Sequence, residues 1–346
     1  MHFAWDSKNR GACNLSTISV IISTRNKANY LTLTLTGYAL QTDRDFEIVL
    51  VNDGGSEETD QVVREYANRF TIRYLRLDRH HGAAAARNLA LEAAGGNILL
   101  FADDDRIPCP TFIGEHRAAL TGNGTVVSIG QQHRIVSHYT PELNFKYNDA
   151  IRFYSKFPDL LNSRDPRVLV TPDMLCADFQ GTVESAYLSP FNDSLLHEMV
   201  ALFGDELIGF HFGWTQAFTG NMAFNRREAD DIRFDENYAG YGKEDTDYAY
   251  QLYRRGYRFR FTRHGENYHQ EHIRKRGEMW EHIRNHRYFC DKFDTLEVLL
   301  HRLTHEGKLS LPEANAAIAT LERYGTDMQP MLNNYLNSNR RPNEFS

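Results

Sequence analysis

"GAAAARNLALEAAGGNILLFADDD" covers residues 82–105, and its parts demand different backbones. Alanine and leucine dominate up to Ala94, which favours a helix, and Gly95-Gly96 provides its stop. Ile98 to Phe101 is a short apolar run that suits a strand buried on both faces. Asp103, Asp104 and Asp105 follow at once. Three adjacent like charges beside an interior are costly unless they are solvated or meet something positive.

Working outward, the same alternation repeats. "ISVIIST" (18–24) reads as a buried strand, and "KANYLTLTLTGYALQ" has helical apolar spacing. "FEIVLVND" (46–53) is a second strand, closed by Asp53 and a Gly-Gly-Ser turn. "ETDQVVREYANRF" is helical and "IRYLRL" (72–77) is a third strand, so "NILLFAD" (97–103) is the fourth. The order β-α-β-α-β-α-β predicts an α/β fold with a mostly parallel sheet covered by helices. Ligands of such sheets collect beyond the carboxyl ends of the strands. Asn26, Asp53 and the three aspartates all fall there.

From about 131 to 210 the pattern blurs. "FKYNDAIRFYSKF" and "SPFNDSLLHEMVALFG" are helical, with mixed, turn-like sequence between, which predicts a helical, looping insertion. Order returns at 218–261 with a short strand, a loop, a helix from about Glu244 to Arg255 and another strand. After Asp291 the chain reads as helices, with Gly307 and Gly325 as stops. The tail "NSNRRPNEFS" reads as frayed, and residues 1–16 as a partly mobile lead-in. The division expected is 1–16 lead-in, 17–275 main α/β domain with 131–210 as an insertion, and 276–346 a C-terminal helical region.

The 346 residues are 41% hydrophobic and 25% charged, ordinary for a soluble globular chain, and the net charge is −7. That balance argues against a protein built to hold nucleic acid. The four cysteines are scattered without a CxxC pair, which fits a reducing cytoplasm better than a disulfide framework. No stretch approaches the ~20 apolar residues of a membrane span. The basic "RNHRYF" and "NSNRRP" leave room for peripheral contact with a membrane or an anionic acceptor, although solvated charge is the plainer reading.

Carboxylates at the strand rim are hard ligands suited to Mg²⁺ or Mn²⁺. An ion there would reconcile Asp103–Asp105 with one another and bridge them to a diphosphate. Glu244, Asp245 and Asp247, in "GYGKEDTDYAYQL", fit plain capping of a helix N-terminus. The flanking glycines instead suggest a loop lying close to something, where a carboxylate serves as general base. "NYHQEH" adds His269 and His272. One histidine is more often structural, but an imidazole beside a suspected metal gains weight.

These segments occur in one order: "SVIISTRNKANYL", "IVLVNDGGSEE", "GAAAARNLAL", "LLFADDD" and "GYGKEDTDYAYQLYRRGYRF". Together they resemble the family 2 glycosyltransferases of the GT-A fold. The stretch "FTGNMAFNRREADDIRFDENYAGYGKEDTDYAYQL" resembles the C-terminal catalytic segment of galactosyltransferases and chondroitin-polymerase-like enzymes. The resemblance implies a UDP-sugar donor and an inverting, metal-dependent transfer, with a hexosamine or galactose donor favoured. It places Thr24, Arg25 and Asn26 against the nucleotide, Asp53 on the uracil edge and Arg87 near the diphosphate. It assigns Asp103 to ribose and metal, Asp105 to metal, Asp104 to the variable middle place and His269 to the third protein ligand. It makes Asp245 the base, with Glu244 beside it binding hydroxyls. Trp214, Gly220 and Asn221 would line the sugar pocket, an aromatic face there stacking on a pyranose. The acceptor stays open among glycan, glycolipid, peptide and small natural product. Two competing readings are a nucleotide-sugar-binding protein without turnover and a nucleotidyltransferase. The first need not keep a base, and the second would more often carry a Gly-rich basic loop where "STRNKANY" has none. A P-loop NTPase is excluded, because GxxxxGK[ST] does not occur.

Overall fold

The computed structural model describes residues 3–6, 17–122, 124–191, 193–273, 277–324, 330 and 334. Its N-terminal half contains β1 (Phe3–Asp6), β2 (Ile18–Thr24), α1 (Ala28–Ala39), β3 (Phe46–Asn52), α2 (Glu57–Tyr66), β4 (Thr71–Arg76), α3 (Ala83–Ala93), β5 (Ile98–Ala102), β6 (Arg106–Pro108) and α4 (Phe112–Leu120). The strands β4, β3, β2 and β5 run parallel in that order. Every residue of β3 and β5 is buried, as continuous apolar runs require of strands covered on both faces.

The second half contains β7 (Val126–Ile135), β8 (His138–Tyr139), α5 (Tyr147–Lys156), β9 (Arg167–Val168), α6 (Pro172–Ala177), α7 (Phe179–Ala186), β10 (Tyr187–Pro190), α8 (Asp193–Phe203), β11 (Asn221–Asn225), α9 (Glu244–Arg254), β12 (Arg258–Gln270), α10 (Glu278–Lys292), α11 (Leu296–His305) and α12 (Leu311–Tyr324). Here the sheet becomes mixed. β11 lies antiparallel between β5 and β7, and β12 runs parallel to β7 and antiparallel to β6. The main sheet has ten strands.

Two expectations change. Residues 131–135 belong to β7, in the middle of the sheet, and β10 pairs with that strand, so 131–210 is not purely a helical insert. The rest of the segment keeps a small core of Val136, Tyr139, Phe153, Leu160 and Leu188. The lead-in contributes an edge strand, β1, antiparallel to β4. The frayed tail 337–346 and Gly325 lie outside the described residues. Among the described residues, no helix is long and apolar enough to cross a membrane.

Candidate functional site

The parallel strands end at one rim. There the Asp53 amide donates to the Thr24 carbonyl at 2.9 Å, tying β3 to β2. Thr24 is buried, while Arg25 and Asn26 are exposed. The Asn26 side chain accepts from the Ser56 amide at 2.9 Å. Asp53 is buried, and its carboxylate accepts from the amides of His81 (2.7 Å) and Gly82 (2.9 Å) and meets His80 Nδ1 at 2.7 Å. Both side chains hold neighbouring turns in shape, so they frame the rim while their polar atoms are already engaged.

The three aspartates part company because the chain turns at Asp104–Asp105 between β5 and β6. Strand alternation therefore no longer puts residues 103 and 105 on one face. Asp103 faces Arg106 (2.9 Å) and Arg87 (3.5 Å). Asp104 is buried beside Lys27 at 3.4 Å. Burial raises its carboxyl, with Lys27 opposing and Asp105 adding to the rise. Asp105 Oδ2 accepts from Lys27 Nζ at 2.6 Å and lies 3.1 Å from His272 Nε2. Burial opposes its ionisation, yet Lys27 and then His269 hold it well below the usual carboxylate range.

A group that could hold a metal ion comes together, sharing Asp105 and His269 with the expected set. One ligand atom each from Asp105, His269 and His272 lies within 4.8 Å of the others. Asp105 Oδ1 is buried and has no hydrogen-bond partner among the described residues. His269 turns Nδ1 toward Glu271 at 3.3 Å and Nε2 toward Asp105 at 3.9 Å. Arg134 in turn holds Glu271 at 2.6 Å. A carboxylate behind a metal-facing imidazole is the usual outer support of such a ligand. Two imidazoles and one carboxylate fit a divalent first-row ion such as Mn²⁺. Asp103 is not among these three residues; its carboxylate faces two arginines. His272 joins the group. The sequence did contain the signal, because His269 and His272 share "NYHQEH". Lys27, one residue after Asn26, was missed altogether. An open cleft of about 240 Å³ adjoins this set, lined by Lys27, Tyr30, His138, Thr140, Leu143, His272 and Ile273.

Arg87 joins the two acidic groups. Its guanidinium donates to Glu244 Oε1 at 2.9 Å while approaching Asp103, and it is itself buried. Glu244 opens α9, and Lys243 before it has φ +79°. The preceding glycines lie against α10: a Cβ on Gly240 would lie 2.3 Å from the Glu281 carboxyl carbon, and one on Gly242 2.8 Å from His282 Nδ1, so a side chain there would have to move. Both also have φ near +80° or above, where L side chains are strained. Buried Asn285 donates to the carbonyls of Ala239 and Gly242 at 3.2 and 2.9 Å, fixing the loop. Asp245 Oδ1 accepts from the Thr246 amide at 2.7 Å. Burial and then the Glu244 charge push its carboxyl up to about 6, against the pull of Arg87.

Gly220 belongs at the rim, because a Cβ there would fall 2.3 Å from Arg106 Nε and 2.7 Å from Asp103 Oδ2. Two other pocket expectations fail. Trp214 is 0% exposed, with its ring 4.8 Å from Tyr250 and 5.7 Å from Phe289 between centroids, so no face is free for a sugar. Asn221 is also 0% exposed. Its amide meets His116 Nε2 at 2.8 Å and donates to the carbonyls of Gln131 and Gly265, which locks β11 between its neighbours.

Residues 19–168 match the model of "Glycosyl transferase family 2". The chain is 26% identical over 309 residues to the uncharacterized glycosyltransferase YfnE of Bacillus subtilis, covering 88% of this chain and 78% of that one. It is 27% identical to a chondroitin synthase of Escherichia coli over 73% of this chain, spanning only 34% of that protein. A poly(ribitol-phosphate) β-N-acetylglucosaminyltransferase, TarS of Staphylococcus aureus, is 36% identical over 29% of this chain. The crystal structure of S. aureus TarS superposes with a TM-score of 0.52 at 18% identity, covering 83% of this chain and 43% of that one.

Proposed function

We propose that this chain, which matches the family 2 glycosyltransferase model over residues 19–168 and shares the fold of TarS, moves a sugar with inversion from a UDP-sugar to a hydroxyl or amine, using Asp245 as the base. The observation that carries this reading is the Arg87 bridge. One buried guanidinium pairs Glu244 at the start of α9 and Asp103 at the end of β5, so the basic carboxylate and the strand rim face one centre. The relatives named for chondroitin synthesis and β-N-acetylglucosaminyl transfer support a hexosamine donor.

In this mechanism Arg25 and the backbone around Asn26 and Asp53 receive the nucleotide. Arg87 and Arg106 hold Asp103 and supply positive charge beside the diphosphate. Asp105, His269 and His272 would hold Mn²⁺ or Mg²⁺, whose charge counters that developing on the leaving diphosphate. Asp245 accepts the acceptor's proton at its carboxylate, which a pKa near neutrality suits. The acceptor oxygen or nitrogen attacks the anomeric carbon from the face opposite the departing UDP. The cleft between Lys27, His272 and residues 138–143 supports an acceptor-shaping role for the segment after β7.

A second reading follows from Lys27. Its ammonium already lies 2.6 Å from Asp105 and 3.3 Å from His272 Nε2, so it can serve as the cation itself. Calorimetric titration with a panel of UDP-sugars, with Mn²⁺ and with chelator, separates the two. Binding abolished by chelator supports the metal reading, and binding that survives it supports Lys27. Asp245→Asn is expected to retain donor binding and lose transfer. Near-normal turnover in that variant removes Asp245 as the base.

A further inference from the structure

Beyond the catalytic rim, α10 and α11 share a histidine seam that the proposed reaction does not use. On α10, His286 and Cys290 are four residues apart. On α11, His301 and His305 have the same spacing, so each pair occupies one helix face. One ring nitrogen each from His286, His301 and His305 lies within 4.8 Å of the others. Cys290 Sγ is 3.7 Å from His286 Nε2. His301 is 5% exposed, and among the described residues neither of its buried ring nitrogens has a hydrogen-bond partner, nor does His286 Nδ1. Buried imidazole nitrogens are ordinarily satisfied. Here His301, with neither ring nitrogen satisfied among the described residues, faces ring nitrogens of His286 and His305 instead.

We propose that His286, His301 and His305 form a second metal site, for a transition ion such as Zn²⁺, that clamps α10 to α11. Three imidazoles with a thiol at hand and no carboxylate suit zinc rather than Mg²⁺ or Mn²⁺. The chemistry thus differs from that of the Asp105 group. Burial holds all three imidazoles below their usual pKa, His305 at about 4, so they present neutral lone pairs at pH 7. Lys243 Nζ lies 3.3 Å from His305 Nε2, marking that lone pair as directed inward. The bound ion displaces this ammonium. Lys243 immediately precedes Glu244 and Asp245, and His282 of the same seam packs on Gly242. The clamp therefore sits directly behind the loop that carries the proposed base.

The test uses the full chain, stripped with chelator, carrying Asp105→Asn and His269→Ala so that the rim set cannot respond. Co²⁺ is the probe. The expected result is one equivalent bound, with the visible bands of a low-coordinate nitrogen site, displaced by Zn²⁺. Adding His305→Ala or His286→Ala should weaken Co²⁺ binding at least ~100-fold, since losing a ligand exceeds losing its outer support. Lys243→Met should tighten Co²⁺ binding about tenfold or more by removing a competing cation from the seat, a gain that a misfolded variant cannot mimic. Absence of the Co²⁺ bands in the rim-disabled chain overturns the proposal. So does their full retention in both histidine variants, or unchanged or weaker affinity in Lys243→Met.

Discussion

Arg87→Met gives the sharpest test of how the site is held together. Methionine keeps the unbranched stem and removes only the guanidinium. Arg87 and Glu244 have side chains 9% and 14% exposed and meet at 2.9 Å. With an effective dielectric near 20, their gross attraction is about 6 kcal/mol, most of it offset by desolvation of both ions. The substitution leaves Glu244 with neither oxygen paired, because Oε2 already has no hydrogen-bond partner. Stranding one member of a buried pair costs about 3–5 kcal/mol. Glu244→Gln should cost less, since Arg87 keeps Asp103. The double variant removes both charges and should recover about 2 kcal/mol relative to the sum of the singles. Urea unfolding of the four proteins, read by fluorescence and circular dichroism, measures that coupling. If the two losses simply add within ~0.5 kcal/mol, the bridge carries no energy and the argument built on it is wrong.

With the Asp245 carboxyl near 6, transfer should fall as pH drops through about 6, because only the ionised form accepts a proton. Glu244→Gln removes a like charge and releases Arg87, so the acid limb of kcat/KM should move to lower pH; an unmoved limb separates the two residues. Trp214→Ala should lose about 3–5 kcal/mol of stability and keep donor affinity in the folded fraction. Lost affinity at unchanged stability would return Trp214 to the sugar site. Gly220→Ala should cut transfer by about 100-fold by pushing Arg106 and Asp103 apart, measured at saturating donor. Lys27→Met should tighten Mn²⁺ binding by calorimetry, because its ammonium sits 2.6 Å from Asp105; weaker binding would make Lys27 a helper of the ion.

The parallel half of the fold was legible because β2, β3 and β5 are apolar runs flanked by helices with clear stops. β12 was harder to bound. Of its 13 residues only the opening RFRF alternates charged and aromatic side chains, the rest being mostly polar, and the strand pairs differently along its length. Glu244 at the head of α9 was visible from its acids and glycines; the glycines have positive φ and lie against Glu281 and His282. The metal set was half legible. The spacing of Asp103 and Asp105 suggests a shared ion, but the turn at 104–105 sends them to different partners, which only three dimensions reveal. Trp214 misled for a related reason, since an aromatic in a Gly-rich segment reads alike whether it faces a sugar or a core.

The insertion of β11 between β5 and β7 also bears on how the chain is made. At about 5–20 residues per second, some 120 residues separate completion of β5 from arrival of β11 and about 85 separate completion of β7 from it, so the ribosome exposes one apolar strand edge for roughly 6–25 seconds and the other for roughly 4–17 seconds. Unpaired edges of this kind recruit other chains. Fragments ending before residue 221 should therefore accumulate as aggregates, and slow translation through 131–220 should lower the yield of folded enzyme unless a chaperone shields the gap.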